Sequence, residues 1–208
     1  MESDRANEIP VLVLAAGASK RMQGKDKLVQ TVGDVPLLRR QVLRARSVSD
    51  TVLVALPPAP HPRYACLDKC DVSVVVVPDA ELGMGHSLRA GIAALPPDAS
   101  HVMIMLPDMP DITAEDIAAV ARGPVDQPDA TIWRGATEDG TPGHPIVFEQ
   151  RHFADLRELT GDRGGAPVLS RYPEQVALVL LPENNAVLDL DTPDAWHAWR
   201  QNQKAGDP

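Results

Sequence analysis

The chain has 208 residues, 44% of them hydrophobic and only 3% aromatic, with a formal net charge of −9. That length and apolar fraction support a folded domain with a sizeable core. The acidic balance and the scarcity of rings exclude general nucleic-acid binding, which needs a basic face and stacking platforms. No apolar run reaches the roughly 18 residues of a membrane span. The polar start, MESDRANEIP, lacks the basic-then-apolar order of a signal peptide, so a cytoplasmic location is expected.

In chain order, Ile9 to Leu14 is a continuous apolar run ended by Ala-Ala-Gly, the pattern of a strand buried on both faces. Pro36 to Ser47 predicts an amphipathic helix, with Leu37, Leu38, Val42, Leu43 and Ala45 set among four arginines. Thr51 to Leu56 is a second strand, stopped by Pro57-Pro58, and Val72 to Val77 is a third, rich in β-branched residues. Between them Cys66 and Cys70 stand four residues apart with only His61 nearby. Structural zinc takes four ligands, so two reduced, partly buried thiols are the simpler expectation. Ser87 to Leu95 predicts a helix and Val102 to Leu106 a fourth buried strand, with Asp108 just past its end. Thr113 and Asp116 are spaced as a capping box for a helix over Ala114 to Arg122. The second half is less regular. Ala130 to Trp133 and Ile146 to Phe148 read as strands around a turn-rich Gly135 to Gly143. Ala177 to Leu181 and Ala186 to Leu190 read as two more strands, and Pro193 to Gln203 as a closing helix with Trp196 and Trp199. Strand–helix alternation over the first 122 residues predicts an α/β fold with a mostly parallel sheet covered on both faces. With no repeat, low-complexity tract or long linker, a single domain over residues 1–208, with a core of about 9–200, is expected.

Ligands of open α/β sheets bind beyond the carboxyl ends of the strands, and two loops belong there. Ala15 to Lys27 combines small residues with Lys20, Arg21, Lys25 and Lys27. Small residues admit a ligand close to the backbone, and N–H groups with cationic side chains hold phosphate oxygens. The stretch is neither a Walker A motif nor a GxGxxG fingerprint, and taken alone a solvated charged loop fits it too. The second is MLPDMPDIT, where Asp108 could hold Mg²⁺ against substrate phosphates or could simply be a turn residue before proline.

LAAGASKRM…DKLV, GMGHSLRAG, DMP, GHPIVF, GDRGG and LDLDTPDAW follow one another between Ile9 and Trp199. In that order the chain resembles the MobA-like nucleotidyltransferases, and within them most resembles the molybdenum cofactor cytidylyltransferases. The resemblance implies a Rossmann-like three-layer α/β/α domain of the nucleotide-diphospho-sugar transferase type. It implies Mg²⁺-dependent transfer of CMP from CTP, or of another nucleotide from its NTP, to a phosphorylated acceptor, molybdenum cofactor, with pyrophosphate released. A transient contact with a molybdoenzyme that receives the product follows. By the same resemblance Arg21 and Lys27 hold the triphosphate and transferred phosphoryl group, with Lys25 the alternative to Lys27 because the spacing from Arg21 is one residue longer than in many relatives. Leu14, Ala15, Ala16 and Gly17 bring the backbone to the nucleotide, and Gly83, Gly85 and Ser87 lie near base and ribose. His86 stands where a small residue is expected. Asp108 is the metal ligand, with Asp189 and Asp191 the candidates for a second carboxylate; a helix cap is the other reading of Asp191. His144 faces the acceptor or braces its turn, and Arg163 faces the acceptor phosphate, although Ala166-Pro167 departs from the family there. Ala16, where guanylyltransferases tend to carry glycine, points to a pyrimidine. Two other readings share these loops: transfer to a sugar phosphate or another phosphorylated metabolite, and a chaperone that carries the cofactor without turnover.

Overall fold

The computed structural model describes residues 9–205; the polar N-terminal segment read above and residues 206–208 lie outside them. The elements in order are β1 (Val11–Leu14), β2 (Thr31–Val32), β3 (Val35–Pro36), α1 (Leu37–Arg46), β4 (Val52–Leu56), α2 (Arg63–Cys66) and β5 (Ser73–Val76). Then come α3 (Met84–Ala93), β6 (His101–Met105), α4 (Ala114–Ala121), α5 (Gly123–Asp126), β7 (Ile132–Ala136) and β8 (Pro142–Glu149). The chain closes with α6 (Phe153–Arg157), α7 (Ala166–Arg171), β9 (Val176–Leu180) and α8 (Pro193–Ala205).

Seven strands form one sheet in the order β5-β4-β1-β6-β8-β7-β9, and β2 and β3 make a separate small hairpin. Within the large sheet only β8 runs against the rest, pairing antiparallel with both β6 and β7. β1 lies between β4 and β6, parallel to both, with Val13 opposite Val54 on one side and Met105 on the other. A strand so enclosed has no polar face, which is why VLVL is apolar at every position. Its side chains alternate: Val11 and Val13 join the core under α1 and α4, whereas Leu12 and Leu14 join the core under α3 and α6. The result is the expected mostly parallel, three-layer α/β/α fold. The predicted cap on α4 forms, with Asp116 N donating to Thr113 Oγ1 at 3.1 Å and Thr113 N to Asp116 Oδ2 at 2.9 Å. Cys66 and Cys70 are free thiols, not joined to each other. Among the described residues no helix is long and apolar enough to cross a membrane.

Two expectations change. Gly135 and Gly143 are not turn residues but lie inside β7 and β8, leaving only Thr137–Thr141 as the hairpin loop. Both glycines are there because other backbone passes close: a Cβ on Gly135 would stand 2.6 Å from the His144 carbonyl oxygen. Ala186 to Leu190 is not a strand. Val187 N and Leu188 N both donate back to Asn184 O, which winds the segment into turns. Its burial pattern arises from isolated contacts: Ala186 sits under β8, and Leu190 packs in a small cluster with Met22, Leu37, Trp196 and Trp199.

Gly143 is the point where β8 meets this returning segment. His144 N donates to Ala186 O at 2.8 Å, and a Cβ on Gly143 would collide with the Ala186 backbone. Backbone cannot swing aside as a side-chain end can, so Gly143→Ala is expected to lower unfolding stability by about 1–3 kcal/mol. Urea denaturation measures it; an unchanged midpoint would mean the approach is looser than described.

Candidate active site

The carboxyl ends of β1 and β6 face a common cleft, and each delivers one loop to it. After β1 the chain turns through a short 3-10 helix, Lys20–Met22, flanked by Ser19 and Gln23 in left-handed conformations at φ 50° and 52°. Non-glycine residues adopt that region only when their surroundings hold them. Met22 is buried and anchors the loop from outside by packing with Leu37 and Trp196. Arg63, on α2, anchors it from inside. Its guanidinium donates to Asp26 Oδ2 at 2.8 Å, to Asp26 Oδ1 at 2.8 Å, to Ser19 Oγ at 3.0 Å and to the Ala15 carbonyl.

The acidic side is assembled from β6 and from the segment before α8. Leu190 N donates to the Asp108 carbonyl at 3.0 Å, which sets Asp108 beside the neighbours of Leu190, Asp189 and Asp191. Thr192 Oγ1 accepts from Ala195 N at 3.1 Å and caps α8, so the capping role falls to Thr192 and leaves the Asp191 carboxylate free to face the cleft. Behind Asp108, Gln41 Nε2 donates to Met109 O at 2.7 Å and Arg44 to the carbonyls of Pro110 and Ile112 at 2.8 and 2.6 Å. Trp199 Nε1 donates to Asp111 at 3.0 Å and ties α8 to the same loop.

The two sides meet in one network. Lys27 Nζ donates to both Asp108 and Asp191, and Arg21 donates to the other oxygen of Asp191. Burial works to lower the Lys27 pKa, but the two carboxylates outweigh it and hold it above the usual lysine value. Burial pushes Asp191 up, and the Lys27 ammonium hydrogen-bonded to it more than reverses this. Asp189 is raised, by burial first and then by its hydrogen bond and like charge with Asp191. One oxygen each from Asp108, Asp189 and Asp191 lies within 4.8 Å of the others, and Asp108 Oδ1 is buried with no hydrogen-bond partner. Among the described residues this is the one group of acidic, histidine or cysteine side chains so gathered.

A cavity of about 470 Å³ opens on this network. Of the expected nucleotide residues, Leu14, Ala16, Gly17, Arg21, Lys27, Gly83 and Ser87 line it, together with Asp108 and Asp191. Ala15 and Gly85 do not. The Ala15 side chain is fully buried in the core, and Gly85 packs on the Thr160 backbone, where a Cβ would come within 2.7 Å of Thr160 N. Lys25 lines a neighbouring pocket with His61 and Arg63, one that shares Ala16 to Lys20 with the main cavity, whereas Lys27 reaches the acids. His144 and Arg163 border an adjoining cavity of about 190 Å³ walled by Leu88, Ile104, Ile146 and Phe148. Burial, helped by the Arg134 charge, lowers the His144 pKa to about 4, so its imidazole is neutral, and its Nδ1 is buried without a hydrogen-bond partner. His86 is held by Asp79 rather than pointing into open space. Lys20, Asp162 and Met84 also line the main cavity. Asp162 and Met84 stood inside the quoted motifs without an assigned role, and Lys20 only as one of the cations of the first loop. Arg63 had no sequence signal at all, because it lies in a proline-rich connection and acts on residues 37 to 48 positions away.

Residues 11–176 match the MobA-like NTP transferase domain. The purine catabolism protein PucB of Bacillus subtilis is 28% identical over 198 residues, covering 90% of this chain and 94% of its own. The crystal structure of a Mycobacterium tuberculosis Rv0371c homologue from Mycobacterium sp. strain JC1 superposes with a TM-score of 0.81 at 30% identity, covering 96% of this chain and 98% of that one. Rv0371c of M. tuberculosis itself, in complex with manganese, superposes with a TM-score of 0.74 at 27% identity, covering 92% and 97%. With its sheet order, its basic loop after β1 and a family match over most of its length, the chain belongs to the MobA-like NTP transferases and is a nucleotidyltransferase.

Proposed function

We propose that this enzyme transfers CMP from CTP to the terminal phosphate of molybdenum cofactor, releasing pyrophosphate, and that residues 1–208 act as one catalytic domain in the cytoplasm. The observation that carries the reading is the placement of Lys27 between Asp108 and Asp191, with Arg21 on the same carboxylate, at the floor of the main cavity. A phosphate monoester is largely dianionic at neutral pH, its second pKa being near ~6. Its oxygen attacks the α-phosphorus, the bond to the bridging oxygen of the β-phosphate breaks, and pyrophosphate departs with that electron pair. No strong base is needed. The barrier lies in bringing two anions together and in the charge that gathers on the leaving group, so catalysis is positioning and neutralisation. Lys27 and Arg21 donate to the phosphate oxygens, and the backbone at Ala16 and Gly17 lets the nucleotide lie close.

The donor set suits a hard divalent cation. Asp108, Asp189 and Asp191 offer only carboxylate oxygens, one of them buried and unpartnered, and their three charges exceed those of Lys27 and Arg21. The manganese complex of Rv0371c supports this, and Mg²⁺ is the proposed physiological ion. When bound, such a cation neutralises triphosphate charge and orients the polyphosphate. The acceptor body is assigned to the adjoining cavity, with Arg163 and the neutral His144 at its border. Its apolar walls favour a flat heterocycle over a sugar covered in hydroxyls. Delivery of the product to a molybdoenzyme through a transient contact belongs to the same reading. The methyl of Ala16 narrows the nucleotide side of the wall and favours a pyrimidine.

Pyrophosphate release with molybdopterin as acceptor tests this. CTP is expected to outperform GTP, and Ala16→Gly to shift the ratio towards GTP; preference for GTP in the unaltered enzyme would overturn the base assignment. Turnover with a sugar phosphate but not molybdopterin would replace the acceptor, and cofactor binding without any pyrophosphate would make the chain a carrier.

Lys27→Ala and Arg21→Ala are each expected to lower kcat by roughly 100- to 1000-fold, as loss of a preorganised charge stabiliser does. Asp108→Ala should abolish metal-dependent turnover while circular dichroism shows the fold intact. Full activity in that variant would remove Asp108 from the mechanism.

A further inference from the structure

We propose that Arg63 is the positioning residue of the transfer reaction: it sets the loop from Ala15 to Lys27 and thereby aims Lys27. The inference rests on that loop being the one that holds the triphosphate. Arg63 lies outside the main cavity, on α2, and its side chain is only 2% exposed. All three guanidinium nitrogens are used, and all on this loop. Nη1 donates to the carbonyl of Ala15, where β1 ends. Nη2 donates at 3.0 Å to Ser19 Oγ, on a residue in the left-handed region that needs support to stay there. Nε and Nη2 grip both oxygens of Asp26, the residue just before Lys27. Asp26 Oδ1 in turn accepts from Leu28 N at 3.0 Å, so one carboxylate spans Lys27 from both sides and fixes its backbone. Burial pushes the Asp26 carboxyl up, but Arg63 more than offsets this, so the pair stays charged. A two-pronged guanidinium–carboxylate bond carries direction as well as energy. A lysine at this position, a single flexible point charge, could not serve Ala15, Ser19 and Asp26 together.

The consequence is a division of labour. Lys27 and Arg21 meet the phosphates, while Arg63, from the opposite side of the loop, decides where they stand. Loss of Arg63 should free the loop without disturbing the sheet, since its partners are all loop residues or the last turn of backbone after β1.

Two measurements on full-length protein decide this. Hydrogen exchange reads the loop directly: in Arg63→Ala the amides of Met22, Lys25 and Leu28, each bonded at 3.0 Å within the loop, should exchange faster, with β1, β4 and β6 as protected as before. Pyrophosphate release from CTP with molybdopterin, far below the melting temperature, should show kcat lowered about 100-fold, the scale of a small misplacement of a catalytic group. Guanidinium chloride, well below unfolding concentrations, should restore part of that rate, and sodium chloride at equal ionic strength should not. Arg63→Lys should stay slow. If Arg63→Ala does not fold, Asp26→Asn, which removes the charged grip but leaves the bonds to Ala15 and Ser19, is read in the same two assays and should show both effects in milder form. Unchanged loop exchange in a folded variant, or a loss of rate that follows only the unfolded fraction, overturns the inference. Should the unaltered protein turn over neither CTP nor GTP, the transfer reading fails, and the exchange comparison still decides whether Arg63 sets the loop.

Discussion

A lysine shared between two aspartates is what the site is built around. Lys27 draws Asp108, from the end of β6, and Asp191, from the approach to α8, to a single ammonium, and Arg21 closes the group from the solvent side. Exposed ion pairs contribute little to stability, but Lys27 and both aspartates have side chains less than a fifth exposed, so their attraction is only weakly screened by water. The same contacts describe the demands of the reaction. In the proposed reading the two cations serve phosphate oxygens and the three carboxylates a metal, and while substrate is absent Lys27 and Arg21 offset the charge of Asp108 and Asp191. On that proposal, binding of a metal–nucleotide complex exchanges one set of charge pairs for another, which keeps bare charges from facing the low-dielectric cleft.

The fold exists to hold that arrangement. Parallel β1 and β6 release their loops side by side at one edge, and the N-terminus of α3, at Gly83 and Met84, lines the same cavity, a position that favours anions. Antiparallel β8 then breaks the parallel run beside β6 and brings His144, with Arg134 of neighbouring β7, and the apolar cavity wall against the site. The final segment returns across β8 at Gly143 and Ala186, delivers the two remaining aspartates, and ends in α8, whose tryptophans clamp both the basic loop through Met22 and the acidic loop through Asp111. Each loop of the candidate site is therefore held from two sides: Met22 and Arg63 for one, Leu190 and the α1 donors Gln41 and Arg44 for the other.

Sequence carried the parts of this that are local. VLVL, VLVAL and VMIM are uniformly apolar because their strands are covered on both faces, and Thr113 with Asp116 is a cap by spacing alone. The basic loop and Asp108 stood out because each follows an apolar strand, and the DLD segment through the family resemblance. What escaped depends on partners distant in the chain. Ala186 to Leu190 has strand-like alternation, yet its apolar residues answer to Gly143 on one side and to Trp196 on the other, and no neighbouring strand offers a ladder. Gly135 and Gly143 looked like turn residues, since the close backbone they accommodate belongs to other segments. Arg63 was invisible for the same reason: a buried guanidinium is recognised by its acceptors, and all of these lie in another loop.

Anomalous diffraction from crystals grown with CTP and manganese tests the charge exchange most directly. A manganese peak among the carboxylates of Asp108, Asp189 and Asp191, with Lys27 Nζ moved onto the triphosphate, is the predicted result. A peak elsewhere, with Lys27 still held between Asp108 and Asp191 and the nucleotide bound away from both, would contradict it.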